Sequence, residues 1–181
     1  MQANNNQSSP YKEQKEKIMD HYKLDDMDRT ILSELINDAR KPYLEIARVC
    51  GVSGAAIHQR VKKLEELGII EGSSTLIKPV AIGYSICAFM FLNLTENNKY
   101  QEVITALKDI PEIVECHFIT GRSALLIKLY CEDNAHLMEV ALNTIQKIPF
   151  VQSTETMVSL DEPFKRQIWV HNLEERKKHK R

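Results

Sequence analysis

Nothing in this 181-residue chain resembles a metal or redox motif. Its four cysteines, Cys50, Cys87, Cys116 and Cys131, never come within CxxC spacing, which excludes a zinc knuckle and a thioredoxin-type pair. The six histidines are equally scattered, so neither a metal nor a cofactor is expected. Reduced, mostly buried thiols of an intracellular protein are the expectation instead. Long apolar runs are also missing. The longest, Tyr84 to Leu94, is about half of the ~20 residues a membrane-spanning helix needs. The opening MQANNNQSSPYKEQKEK lacks the apolar core of a signal peptide, so a cytoplasmic protein with no membrane partner is expected. A surplus of one charge is absent too: 24 Lys and Arg face 25 Asp and Glu, for a net charge of −1. That excludes gripping nucleic acid by bulk charge, and leaves a local basic face as the route to it.

What is present is an ordinary globular composition, 43% hydrophobic and 27% charged. Residues 1–23 are rich in Asn, Gln, Ser and Lys and read as a polar tail, with a helical turn near Tyr11 to Tyr22. The last eight residues, 174–181, form a basic tail with five Lys/Arg against two Glu. Between them the pattern turns helical at Leu24. Leu24, Met27, Ile31, Leu32 and Leu35 share one helical face, with Asp25, Asp26 and Asp28 in the first turn. A short second helix fits Tyr43 to Cys50, ended by Gly51. A third starts from Ser53 as N-cap and buries Ile57, Val61, Leu64 and Leu67. The stretch Ile69 to Ile77 reads as two short strands around a Gly-Ser turn. Three helices and a hairpin over 24–78 make the layout of a winged helix-turn-helix.

Residues 79–83 read as a linker, and 84–173 as a second domain. Its order is strand Tyr84–Leu94, helix Asn98–Ile110, strands Ile113–Thr120 and Ala124–Glu132, helix Asn134–Ile148 and strand Val151–Leu160. Pro111 and Pro149 stop the helices. The pattern extends a last strand over Phe164 to Val170. The fold class is therefore α+β: an N-terminal winged helix-turn-helix plus a C-terminal ferredoxin-like βαββαβ domain. Strand Tyr84–Leu94 is apolar on both faces, with Ile86, Ala88, Met90, Leu92 and Leu94 on one and Cys87, Phe89 and Phe91 on the other. Helices cover only one face of such a sheet, so a second subunit is expected over the other: at least a homodimer.

The segment Leu44 to Leu64 carries the functional reading. Ala47 is small where two helices must cross, and Gly51 permits the tight turn. With Ile57, Val61 and Leu64 inward, the third helix offers Ala55, Ala56, His58, Gln59, Lys62 and Lys63 to a DNA major groove. Small residues at its tip allow close approach, after the capping Ser53. Gln59 suits an adenine edge, and the methyls of Ala55 or Ala56 suit thymine. Arg60, Lys62 and Lys63 suit phosphate or guanine. His58 either adds a pH-dependent phosphate contact or is a plain exposed histidine. The competing reading is a helical protein-interaction module carried on a ferredoxin-like oligomerisation domain, with no effector. An enzyme is not expected. Cys116 and His117 are neighbours on a strand and point to opposite faces, and no GxSxG, HExxH or phosphate-cradling loop occurs. RNA recognition on the sheet is disfavoured, because strand Ala124–Tyr130 has one aromatic.

These residues resemble the Lrp/AsnC, or feast/famine, transcriptional regulators of bacteria and archaea. The likeness rests on Leu24-Asp25, Asp28, Ile31-Leu32, Gly51-Val52-Ser53, Arg60-Val61, Leu64-Glu65 and Gly68-Ile69-Ile70. It continues through Glu115-Cys116-His117, Thr120-Gly121, Val151 and Thr154-Glu155-Thr156, and spans Leu24 to about Leu160. The resemblance implies a DNA-binding domain followed by a ligand-sensing one, and dimers through the sheets, which in the family often assemble as an octameric disc of four dimers. It also implies a small effector, usually an amino acid, near the turn between the second and third strands. Carried over, that site is Gly121, Arg122, Ser123 and Ala124, with Thr154 and Thr156. The family's turn commonly reads Thr/Ser-Gly-x-x-Asp, and this chain has Ala124 where the Asp stands. Alanine can neither order the turn nor receive an α-ammonium group, so the ligand is either an amino acid held otherwise or an unusual one. Arg122 is either a partner for an acidic effector or an exposed loop residue.

Overall fold

The computed structural model of the chain describes residues 22–170. The expected turn at Tyr11 to Tyr22, Tyr22 itself apart, and the basic tail 174–181 lie outside the described residues. Two compact units emerge, one holding residues 22–75 together with 166–170, the other 76–165.

In the helix unit, α1 (Asp26–Asn37) starts from a reciprocal cap. The Asp28 N–H donates to Asp25 Oδ1 at 2.8 Å, and the Asp25 N–H to Asp28 Oδ2 at 3.0 Å. Helix α2 (Tyr43–Cys50) follows Pro42 and ends on Gly51, which adopts φ +68°, a left-handed conformation that glycine enters at little cost. Helix α3 (Gly54–Glu66) is capped by Ser53, whose Oγ accepts from the Ala56 N–H at 3.2 Å. Ile31, Leu32, Ile46, Ala47, Ile57, Val61 and Leu64 form the buried core, with Leu24, Met27 and Leu35 partly buried against it. Burying these side chains stabilises the unit by about 1.5–3 kcal/mol for each large aliphatic one.

The expected wing is not formed as a strand pair. Glu71 to Lys78 adopts no regular structure, and Leu76 and Ile77 are 84% and 62% exposed. An isolated two-stranded ribbon is marginal in water. Here Gly72, at φ +147°, also turns the backbone out of an extended path.

The second unit is a four-stranded antiparallel sheet in the order β2-β3-β1-β4, backed by helices on one face. Its strands are β1 (Ile86–Leu94), β2 (Ile113–Phe118), β3 (Leu125–Cys131) and β4 (Val151–Ser159). Helix α4 (Tyr100–Lys108) crosses between β1 and β2. The return to β4 begins as α5 (Asn134–Glu139), loosens into a π-turn over Val140–Thr144, and tightens into a 3-10 turn over Ile145–Lys147. Ala88, Met90, Leu92, Leu125, Ile127 and Leu129 pack under Val103, Leu107, Leu137, Val140 and Ile145. This is the expected ferredoxin-like arrangement, with every strand shorter than its hydrophobic pattern by one or two residues.

The other face of the sheet carries Phe89, Phe91, Leu126 and Tyr130, all partly exposed, and Met157, half exposed. Among them Lys128 is only 6% exposed. Its ammonium lies 3.2 Å from Glu162 Oε1 and 3.8 Å from Glu115 Oε1, between the rings of Phe89 and Tyr130. Burial works against its charge, and the hydrogen bonds to Glu162 and Tyr130, together with the attraction of those two groups, outweigh it, so its pKa is raised.

Two further expectations are corrected. Phe164 to Val170 is not a strand: it pairs with none of the four strands, and 166–170 group with the helix unit instead. The compact sheet unit spans 76–165, and Val170 packs against the core of the helix unit. The thiols are less buried than expected: Cys131 is buried, Cys50 and Cys87 are intermediate, and Cys116 is exposed. No helix among the described residues is long and apolar enough to cross a membrane.

Candidate nucleic-acid interface and effector loop

Helix α3 is fixed from beneath by Ile57, Val61 and Leu64, all buried, and crosses α2 at Ala47. Its outer side presents Ala55, His58, Gln59, Lys62 and Lys63 to solvent, with Ala56 half-buried and Ser53 exposed at the cap. His58 packs its ring 5.8 Å from that of Tyr43 on α2. Lys62 lies 3.8 Å from Glu66, and both side chains are largely exposed. Such a pair is worth little and yields readily to a phosphate.

Arg60 departs from the expected face. Its Nη1 lies 2.6 Å from Asp25 Oδ2, 3.1 Å from Asp28 Oδ1 and 3.2 Å from Tyr22 Oη. Asp28 is 0% exposed and also accepts from Tyr22 Oη at 2.7 Å. Tyr22, Asp25 and their carboxylate neighbour raise the Arg60 pKa further above its ordinary value. Burial opposes ionisation of Asp25, yet the Asp28 N–H and the Arg60 guanidinium hold its carboxyl below the usual range. The arginine expected to reach DNA therefore ties α3 to the start of α1. A buried charge requires a partner, and only the fold, not helical spacing, reveals which one it has.

Sequence reasoning also missed Tyr22, assigned to the tail. Its ring lies under Lys63, with Nζ 4.5 Å from the centroid. The available signal was an aromatic two residues before an apolar helical face.

In the sheet unit, Gly121 (φ +136°) and Arg122 are exposed in the turn between β2 and β3, and Ser123 is half-buried. The Ala124 N–H donates to the Leu92 carbonyl at 3.0 Å, and its methyl packs against the core. Thr154 pairs with Leu92 on β4, and its hydroxyl accepts from Gln146 Nε2 at 2.8 Å. Thr156 pairs with Met90. Leu125, Leu92 and Thr154 thus form one row across three strands. The turn and the threonine lie at the same end of the sheet, roughly 10 Å apart at the usual strand spacing, with buried Leu92 between them. One chain alone does not bring them into contact. Among the described residues no group of three His, Cys, Asp or Glu is placed to hold a metal.

A capped recognition helix on a three-helix unit, joined to a helix-backed sheet, defines a DNA-binding regulator with a sensing domain. Comparison with known proteins agrees for both halves: residues 24–65 match the AsnC-type helix-turn-helix domain, and 87–169 the Lrp/AsnC ligand binding domain. Regulatory protein AsnC of Haemophilus influenzae is 37% identical over 147 residues, 81% of this chain and 98% of its own length. The solved structure of Escherichia coli AsnC superposes with a TM-score of 0.77 at 36% identity, covering 81% of this chain and 99% of that one. A Mycobacterium tuberculosis feast or famine regulatory protein, solved with L-methionine, superposes at 0.77 with 25% identity, covering 82% of this chain and 100% of its own. The chain belongs to the Lrp/AsnC family of transcriptional regulators.

Proposed function

We propose that this regulator reads DNA with the outer face of α3, through Ser53, Ala55, Ala56, His58, Gln59, Lys62 and Lys63, while Arg60 holds the helix in place. The observation that carries this reading is the division of α3 into a buried side and an exposed side bearing Gln59 and Lys62. Two such helices in a homodimer would enter major grooves about 34 Å apart. Support for the dimer comes from the apolar residues Phe89, Phe91, Leu126, Tyr130 and Met157 on the uncovered sheet face. Four dimers would extend the same surface along a longer promoter. The effector is an amino acid, held near Gly121 to Ala124 with Thr154 and Thr156 from adjoining subunits. The L-methionine complex of the mycobacterial relative supports that ligand class. The absence of a carboxylate at Ala124 leaves the ammonium group to other acceptors. Ligand binding would shift the population of assemblies able to hold the operator.

The test is fluorescence anisotropy with a labelled duplex from the gene's own upstream region, at two salt concentrations, with and without the twenty amino acids. Sequence-preferring binding altered by one of them is expected. Binding with no preference among duplexes refutes the regulatory face and returns the helices to a protein-interaction role.

A further inference from the structure

Tyr22 lies outside the matched helix-turn-helix segment, which begins at residue 24. It nevertheless touches the α3 helix twice. Its hydroxyl donates to Asp28 and stands 3.2 Å from the Arg60 guanidinium, and its ring face carries the Lys63 ammonium at 4.5 Å. Burial and the hydrogen bond to Asp28 both keep the phenol protonated, raising its pKa. Asp25 and Asp28 hold Arg60, Arg60 and Asp28 hold the phenol, and the phenol ring holds Lys63. The relay starts at a fully buried carboxylate and ends at an exposed lysine.

We propose that Tyr22 is a positioning residue of the DNA interface, whose ring pre-orients Lys63 for a phosphate. Lysine has four freely rotating side-chain bonds, so a free lysine loses much of its freedom when it pairs with a phosphate. An ammonium already resting on a fixed aromatic face loses less, and its outer side remains open to an anion. The ring is fixed because its hydroxyl is held from two sides. Arg60 therefore serves binding at one remove, without touching DNA. This inference rests on α3 being the recognition helix.

A double-mutant cycle on the full-length protein tests it, reading affinity for a specific duplex and its salt dependence. Lys63→Ala lowers the slope of log K against log salt by about 0.9 for each recognition helix seated. Tyr22→Ala weakens binding, but adds little to Lys63→Ala, because the ring acts through that lysine. Tyr22→Phe keeps the aromatic face but loses the hydroxyl ties that fix it, so its affinity falls between those of the parent and the alanine variant. Additive losses from Tyr22→Ala and Lys63→Ala, or a phenylalanine variant as weak as the alanine one, overturn the proposal. So does an unchanged salt slope in Lys63→Ala, a solvent-exposed substitution that leaves folding intact. Lys62→Ala and Gln59→Ala separate the two levels. If they weaken binding and Lys63→Ala does not, the positioning role alone fails. If none of them has an effect, α3 is not the recognition helix.

Discussion

Replacing Arg60 by methionine separates a structural arginine from a DNA-reading one. The substitution keeps a side chain of similar length against the core and removes the guanidinium. Asp28 would then keep two of its three donors, the Tyr22 hydroxyl and the Asp25 N–H, but lose the guanidinium that balances its charge. Removing one partner of a buried pair costs about 3–5 kcal/mol. Arg60 is itself 29% exposed, so water replaces part of what is lost and the lower end applies. The second tie, to Asp25, is about half exposed and adds no more than about 1 kcal/mol. A total near 3 kcal/mol, at about 4–8 °C per kcal/mol for a unit of this size, lowers its melting temperature by roughly 12–24 °C. Differential scanning calorimetry, with helix loss followed at 222 nm, reads the shift. Adding Asp28→Asn to Arg60→Met should cost less than the sum of the two single changes, because the buried charge has gone with its partner. A melting temperature within about 4 °C of the parent, which corresponds to 1 kcal/mol or less, would refute the structural assignment. That outcome with a tenfold or greater loss of DNA affinity, about 1.4 kcal/mol, would return Arg60 to the DNA face.

Other consequences are open to measurement. Phe89→Asp places a carboxylate on the uncovered sheet face, and light scattering should show the proposed dimer reduced to a monomer while the secondary structure persists. Gly121→Ala forces a side chain into φ +136°, at a cost of about 1–3 kcal/mol in the turn. Calorimetric titration should then show a lost or weakened effector response, with DNA binding in its absence retained. Burial pushes the Cys131 thiol up to about 11, with Glu112 and Asp133 adding to the effect. A raised pKa stabilises the fold below pH 9, and that contribution fades as pH rises from about 9 to 11. At pH 8 its thiolate is about a hundredfold scarcer than that of an ordinary thiol, so mass spectrometry after iodoacetamide treatment should find Cys131 modified last.

The helix-turn-helix was legible because each of its requirements falls on a distinctive residue: Ala47 at the crossing, Gly51 at the turn, Ser53 at the cap, Ile57 and Val61 beneath. The succession of strands and helices in the sheet unit was legible from its apolar runs, from the helical spacing between them and from the prolines that stop the helices. What escaped were features decided by long-range partners. Arg60 and Lys128 look like surface cations until Asp28 and Glu162 come beside them. The second helix of the sheet unit was legible as one piece because Leu137, Val140, Ala141 and Ile145 keep helical spacing. Those four side chains stay buried, while the backbone between them changes pitch without a proline or glycine to mark the place. The missing wing shows the opposite failure. Its Gly-Ser turn is not formed either, because two short strands with nothing to pack on gain too little to stay paired.

The return of residues 166–170 to the helix unit makes that unit discontinuous, with residues 76–165 inserted into it. Closing a flexible loop of that length would cost about 4 kcal/mol in chain entropy. A folded insert has already fixed its own ends, so most of that cost disappears once the sheet has formed. During synthesis the three helices leave the ribosome before the sheet, yet the unit they belong to receives residues 166–170 only after the whole sheet has emerged. The DNA-reading part of the molecule is begun first and completed last.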